Sequence, residues 1–198
     1  MRGIDHEPQV ARYEANLHLA AEWLEGRGLT VEDAAVFRLG VVDDNSPESA
    51  PYRGRLAIPY LTKSGVVDIR FRTLFSAGPK YLSRPGAKPH LFNVAALWRT
   101  SSVIGIAEGE TDAMVMDLYG GIPCVGVPGA QLWQKHFACL FADFDRVLVF
   151  GDGDDAGREF SRTVASAMEN ALPVPMPNGM DLSDVYSSQG PAGLERLW

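Results

Sequence analysis

The sequence predicts an α/β protein in two parts: a basic, mixed α+β subdomain over residues 1–100, then a parallel-sheet subdomain with helices on both faces over residues 101–198. Three observations lead there. Apolar residues recur at helical spacing near the N-terminus, a two-residue alternation runs between positions 55 and 74, and from position 101 short apolar runs alternate with helical stretches.

In the first part, Tyr13, Leu17, Ala20, Ala21 and Leu24 mark one helical face, ended by Gly26 or Gly28. Thr30 reads as an N-cap with Asp33 as an acidic capping-box partner, opening a short helix through Phe37. Positions 43–54, rich in Asp, Asn, Ser and Pro, read as a loop. Arg55–Leu61, a turn at Lys63-Ser64-Gly65, and Val66–Leu74 then form a β-hairpin, whose Asp68, Arg70 and Arg72 project from one side of a strand. Lys80-Tyr81-Leu82 is a further short strand, followed by a Pro- and Gly-containing loop to about His90.

In the second part, Val103–Ala107, Pro123–Val127 and Arg146–Phe150 are strands. Helices over Thr111–Tyr119, Gln131–Phe141 and Asp155 to about Asn170 alternate with them. Strands this short and apolar need cover on both faces, which a parallel sheet between helices supplies. Val174–Met176 is an edge-strand candidate despite its proline. Chemistry on such a sheet collects outside the carboxyl ends of the strands, which selects Glu108 and Asp152.

Composition narrows the class. With 46% hydrophobic residues in 198, the chain can bury a core. It has no run near the ~18–20 apolar residues of a membrane span. Asp5 and Glu7 close to Arg2 do not make a signal peptide, so a cytoplasmic protein without membrane attachment is expected. Cys124 and Cys139 are too few for a disulfide framework or a four-thiolate zinc site and are expected to be buried small apolar residues. His6, His18, His90 and His136 form no ligand pattern, so no zinc is expected in this chain. Trp133 is expected in the core, on a helix shared with His136.

A net charge of −7 argues against binding a polyanion, but its distribution reverses that reading. Arg53–Arg99 holds nine basic residues and one acidic residue; from Glu108 onward five basic residues face fourteen acidic ones. One part suits a polyanion and the other suits cations, although the counts also fit ordinary solvated surfaces.

The acidic residues cluster at strand-to-helix junctions. Glu108-Gly109-Glu110-Thr111-Asp112 is one, and Gly151-Asp152-Gly153-Asp154-Asp155-Ala156-Gly157 is another. In an extended segment, Asp152 and Asp154 aim to the same side. Hard divalent cations need only a few convergent carboxylates, and such a cluster repels itself without one. Acidic residues at helix starts are also dipole partners and caps, the reading preferred for Asp155.

Glu108-Gly-x-x-Asp112, followed about forty residues later by Asp152-x-Asp154-x-Ala156-Gly157, resembles the TOPRIM module shared by bacterial-type primases, topoisomerases and some nucleases. Topoisomerases need a separate DNA-gate domain with a nucleophilic tyrosine, for which the chain has no length. Residues ahead of the module resemble the bacterial and bacteriophage primase catalytic core. They are Trp23–Thr30 leading to Phe37-Arg38-Leu39-Gly40, then Leu56–Pro59, Gly65 and Arg70-Phe71-Arg72, then Gly78–Pro85 with Leu91-Phe92-Asn93. Asp181-Leu182-Ser183-Asp184 matches the third acidic motif of that core and fits a capped surface helix equally well.

The resemblance implies DNA-directed synthesis of RNA primers from ribonucleoside triphosphates on single-stranded DNA, using two or more Mg²⁺ or Mn²⁺ ions. It implies Glu108, Asp152 and Asp154 as catalytic residues, Glu108 for proton transfer. Glu108, Asp112, Asp152, Asp154, Asp181 and Asp184 are the cation-site carboxylates. Arg70, Arg72, Lys80, Tyr81 and Arg84 are implied as nucleotide or nucleic-acid contacts, Tyr81 either stacking a base or lying half-buried in its strand. Each basic residue also fits a solvated surface, the reading preferred for Lys88. The zinc-binding and helicase-binding domains of cellular primases have no counterpart in these 198 residues. The expectation is therefore a stripped core of the kind a bacteriophage encodes for the host cytoplasm, working with a separate zinc-binding chain and a replicative helicase. A TOPRIM nuclease and a non-catalytic nucleic-acid-binding accessory are the alternatives.

Overall fold

The computed structural model describes residues 5–75 and 78–198. The chain divides into two compact units, Met1–Lys88 and Pro89–Trp198.

The first unit begins with α1 (Glu7–Glu14), a 3-10 turn (Leu17–Ala20), α2 (Ala21–Glu25) and α3 (Val31–Val36). The continuous helix expected from Tyr13 to Leu24 is thus broken into pieces; Tyr13, Leu17, Ala20 and Leu24 are buried as their spacing required, but Ala21 is exposed. The break coincides with a close crossing: a Cβ on Gly40 would lie 2.2 Å from the Tyr13 carbonyl carbon, so only glycine lets the next strand pass the end of α1. Thr30 and Asp33 form the expected capping box.

Strands β1 (Gly40–Val41), β2 (Arg55–Thr62), β3 (Gly65–Thr73) and β4 (Tyr81–Leu82) make an antiparallel sheet in that order. Within the expected loop, Ala50–Tyr52 forms a 3-10 turn. β2 pairs with β1 only at Leu56 and Ala57, so Pro59 lies where β2 has a neighbour on one side, and its missing N–H is tolerated there. Val10 and Tyr13 of α1 pack with Tyr52, Ala57, Val66, Ile69 and Phe71, with the Tyr52 and Phe71 rings stacked at 3.8 Å.

The second unit holds β5 (Val103–Ala107), α4 (Glu110–Tyr119), β6 (Cys124–Gly126), β7 (Arg146–Phe150), α5 (Asp155–Ala165), β8 (Ala171–Val174), α6 (Leu182–Gln189) and α7 (Pro191–Glu195). The sheet order is β6-β5-β7-β8, all parallel. Ile104, Ile106, Val147 and Val149 pack with Phe160 and Val164 of α5, while α4 packs on β5 and β6. A Cβ on Gly126 would stand 3.2 Å from that of Ala113, which fixes how closely α4 approaches.

Three expectations fail here. The helix expected over Gln131–Phe141 is a pair of 3-10 segments, Ala130–Leu132 and Lys135–Phe141, because Trp133 and Gln134 between them are extended. Trp133 nonetheless packs on the core, as expected, beside Phe137 and Phe141. Of the cysteines, Cys124 is buried but Cys139 is exposed, since it lies on a 3-10 segment rather than under a helix. The edge strand is Ala171–Val174, upstream of its expected position, and Pro173 sits in it. Among the described residues, no helix is long and apolar enough to cross a membrane.

Candidate active site and basic face

Parallel pairing sets Ala107 beside Phe150, so the chain leaves β5 and β7 at adjacent points. Glu108 and Asp152 follow there. The Asp152 amide donates to Glu108 Oε2 at 3.1 Å, and the Glu108 amide donates to the Phe150 carbonyl at 3.1 Å. Gly109 opens α4 without a side-chain cap, and Asp112 falls in the helix's first turn, nearly buried.

Asp112 Oδ1 accepts two bonds from Ser183 of α6, from the amide at 3.3 Å and the hydroxyl at 3.2 Å. The Asp112 carboxyl is nevertheless pushed up to about 7. Burial is the largest cause, and the negative charges of Asp181 and Asp152 add to it. Asp112 therefore senses the charge of two carboxylates distant from it in sequence.

Glycines allow this convergence. A Cβ on Gly153 would lie 1.9 Å from the Pro177 carbonyl oxygen, and one on Gly157 would lie 2.1 Å from that of Asp152. Without those side chains, the Gly153 amide donates to Met180 at 2.9 Å and the Gly179 amide donates to Gly153 at 2.9 Å. This bonded pair of loops delivers Asp181 to the edge where Asp152 stands.

Asp154, Asp181 and Asp184 are engaged in helix caps. Asp154 Oδ1 accepts from the Gly157 amide at 2.7 Å, making it the N-cap of α5. The cap itself is Asp154, while Asp155 is the expected dipole partner, a fully exposed acidic residue in the first turn of α5 paired with Arg158 at 2.7 Å. Asp181 caps α6 in a reciprocal box with Asp184. Asp154 and Asp184 both lie exposed. Among the described residues, no three acidic, histidine or cysteine side chains are grouped to ligate one ion. What the edge offers a cation is oxygen donors of the right chemistry, with Asp112, Asp152 and Asp181 close enough to feel one another's charge. Ser183 and Gly153 were not singled out from the sequence, although both lie inside acidic motifs that were.

The basic residues belong to the first unit. Arg72 pairs with Tyr81 across β3 and β4, so the two side chains share a face with Arg70, two positions along. The Arg70 guanidinium lies 3.9 Å from the Tyr81 ring centroid, that of Arg72 lies at 5.1 Å, and the Lys80 ammonium at 5.8 Å. Arg72 Nη1 also donates to the Tyr81 hydroxyl. Lys80 is exposed, but Arg72 is only 5% exposed, so its guanidinium lies inside the protein. Arg84 is held by α1 and the residue before it: its Nη2 donates to Gln9 Oε1 at 2.6 Å, and its Nη1 meets His6 Nδ1. Burial, then the Arg84 charge, lowers the pKa of His6. Lys88 is exposed, as expected.

No family model matches the chain. The gene 57 protein of Mycobacterium phage D29 is 47% identical over 152 residues, covering 74% of this chain and 99% of that protein. The DNA primase of Staphylococcus epidermidis is 28% identical over 194 residues, covering 90% of this chain. The chain spans 32% of that primase's length. Among solved structures, the RNA polymerase domain of Mycobacterium tuberculosis primase DnaG superposes with a TM-score of 0.81 at 21% identity, over 97% of this chain and 80% of that one. A DnaG primase catalytic domain bound to single-stranded DNA gives 0.78 at 21% identity, over 96% of this chain and 75% of that one. The chain thus belongs to the family of the phage D29 gene 57 protein, and its fold is that of the DnaG primase catalytic core.

Proposed function

We propose that this protein is a primase catalytic core that joins ribonucleotides on a single-stranded DNA template. What supports the reading is the Glu108–Asp152 contact at the adjacent carboxyl ends of β5 and β7, with Asp112 under the charge of Asp152 and Asp181, within a fold shared with primase catalytic cores. Asp152, Asp154 and Asp181 would hold two or more Mg²⁺ or Mn²⁺ ions, with Asp112 and Asp184 supporting them. Bound there, the cations would neutralise the triphosphate and favour the attacking alkoxide.

The protein's own groups do the rest. Glu108, whose carboxylate already accepts from the Asp152 amide, stands at that edge to move the proton of the attacking 3′-hydroxyl. Ser183 fixes Asp112 through two donors. Lys80 and Arg70 face template or nucleotide phosphates, Arg72 supports them from within, Tyr81 holds their geometry, and Arg84 ties the segment after β4 to His6 and Gln9. A separate zinc-binding chain and a replicative helicase complete the reading as partners, and the host cytoplasm as its place.

The test is incubation of purified protein with labelled ribonucleoside triphosphates, Mg²⁺ or Mn²⁺ and a panel of single-stranded templates. Dinucleotides and short oligoribonucleotides are expected. No product on any template, even with a zinc-binding primase domain added, overturns the reading, and a shortened template identifies a nuclease instead.

A further inference from the structure

The cations around Tyr81 do not end at the hairpin. Arg72 lies 4.9 Å from the ring centroid of Trp23 on α2, and Arg27 lies 5.2 Å from the same ring. Guanidinium and aromatic groups therefore follow one another as Arg27, Trp23, Arg72, Tyr81 and Arg70, running from the helix onto the strands.

Two features of this run point outward to a ligand. Arg72 is 5% exposed, its Nε has no hydrogen-bond partner, and among the described residues no carboxylate forms an ion pair with it. A buried cation is ordinarily neutralised by an internal anion. Among the described residues, aromatic faces and a phenol oxygen attend it instead, so no internal anion offsets the charge it places behind the indole. The second feature is Trp23 itself, which remains partly exposed. Tyr81 already carries a guanidinium at 3.9 Å, a full stacking contact, whereas both cations near Trp23 stand about an ångström farther from its ring. Arg27 lies just beyond the C-cap of α2, between Gly26 and Gly28.

We propose that Trp23 is a base-stacking residue for single-stranded polynucleotide, with Arg72 holding the indole from inside and Arg27 meeting the neighbouring phosphate. The inference rests on the template-binding part of the function proposed above and extends it from the basic hairpin to α2. An indole face accepts any base, so the contact is tolerant of sequence and demands only that the base be unpaired.

The test uses the full chain and a fluorescently labelled oligodeoxythymidylate, with a duplex of equal length as comparison. Trp23→Ala is expected to weaken single-strand binding about ten- to a hundredfold, the range typical of one base–aromatic stack, with little change in duplex binding. Trp23→Phe, which keeps a ring, should stay within about threefold of wild type. Oligodeoxythymidylate should quench wild-type tryptophan emission more than that of Trp23→Phe, in which Trp98, Trp133 and Trp198 remain. If Trp23→Ala does not fold, the Trp23→Phe affinity and the quenching difference decide the matter. Equal affinity of wild type and Trp23→Ala, equal losses on single strand and duplex, or equal quenching in wild type and Trp23→Phe would overturn the proposal. Primer synthesis read on the same samples separates the two readings: primers with a silent Trp23→Ala sink only the stacking role, whereas binding effects without primers sink only the catalytic one.

Discussion

Gly153→Ala tests whether the approach of two loops builds the acidic edge. The added Cβ would start 1.9 Å from the Pro177 carbonyl oxygen and 2.9 Å from the Gly179 nitrogen. Both are backbone atoms with no rotamer to yield, so the loops must part by about 1.5 Å to reach ordinary contact. Two backbone hydrogen bonds now at 2.9 Å, from Gly153 to Met180 and from Gly179 to Gly153, would stretch past useful length. Overpacking of this kind costs about 1–3 kcal/mol, and each lost bond adds roughly 0.5–1.5 kcal/mol, for a total of about 2–6 kcal/mol. At roughly 2–4 °C per kcal/mol for a chain of this length, melting should fall by about 5–20 °C. Because Asp181 follows Met180, it would move away from Asp112 and Asp152, and a misplacement near 1 Å is enough to slow a positioned reaction on the order of a hundredfold. Circular dichroism melts, with primer synthesis assayed well below the variant's transition, measure both effects. A variant that melts within about 1 °C of wild type would show that the loops are not in the contact described.

Asp112 and Asp154 give the remaining predictions. The Asp112 carboxyl is pushed up to about 7, chiefly by burial, from an ordinary value of 3.8. Between those values the folded protein keeps a proton that the unfolded chain has released, so stability declines as pH rises through this window and the contribution is gone above about pH 7. The full effect is on the order of 4 kcal/mol. Asp112→Asn should flatten that decline in urea titrations at pH 5 and pH 8, and an unchanged slope would refute the assignment. Asp154 serves as a cap and as a proposed cation site, and asparagine caps as well as aspartate does. Asp154→Asn should therefore melt within about 2 °C of wild type yet lose most metal-dependent synthesis, while Asp154→Ala loses both. Wild-type synthesis by Asp154→Asn would remove the residue from the cation site.

Legibility followed the range of the interactions involved. Apolar runs that must be covered on both faces announced β5 and β7, and the rule of the carboxyl edge then located Glu108 and Asp152. The capping box at Thr30 was visible because it is closed within four residues. What pattern could not supply was anything decided between distant segments. The N-terminal helix breaks where Gly40 crosses Tyr13, a contact between α1 and β1. Gly153 was not singled out within its acidic motif, because Pro177 and Gly179, whose atoms it must admit, lie in another loop. The alternation at Arg70 and Arg72 correctly put both on one face, but burial of Arg72 depends on Trp23, which no strand pattern can reveal. Similarly, a cap and a cation ligand require the same residue types, so Asp154 and Asp155 could be told apart only by where Gly157 places its amide.

The acidic edge also explains why the Asp112 carboxyl is so strongly perturbed. Asp154 and Asp181 sit at the starts of α5 and α6, where each accepts a backbone amide and faces the positive end of a helix. Helix ends of this kind stabilise a charge by about 0.3–1 kcal/mol each, which suits residues that retain contact with water. Asp112 lies farther inside the first turn of α4, is nearly buried, and has Ser183 as its donor against the combined charges of Asp181 and Asp152. Desolvation therefore outweighs the donors at Asp112, and the proton taken up there relieves its repulsion with Asp181 and Asp152. A divalent cation would relieve the same repulsion more completely. At neutral pH, cation and proton should therefore compete for the edge, and any metal requirement should become easier to satisfy as pH rises through about 7.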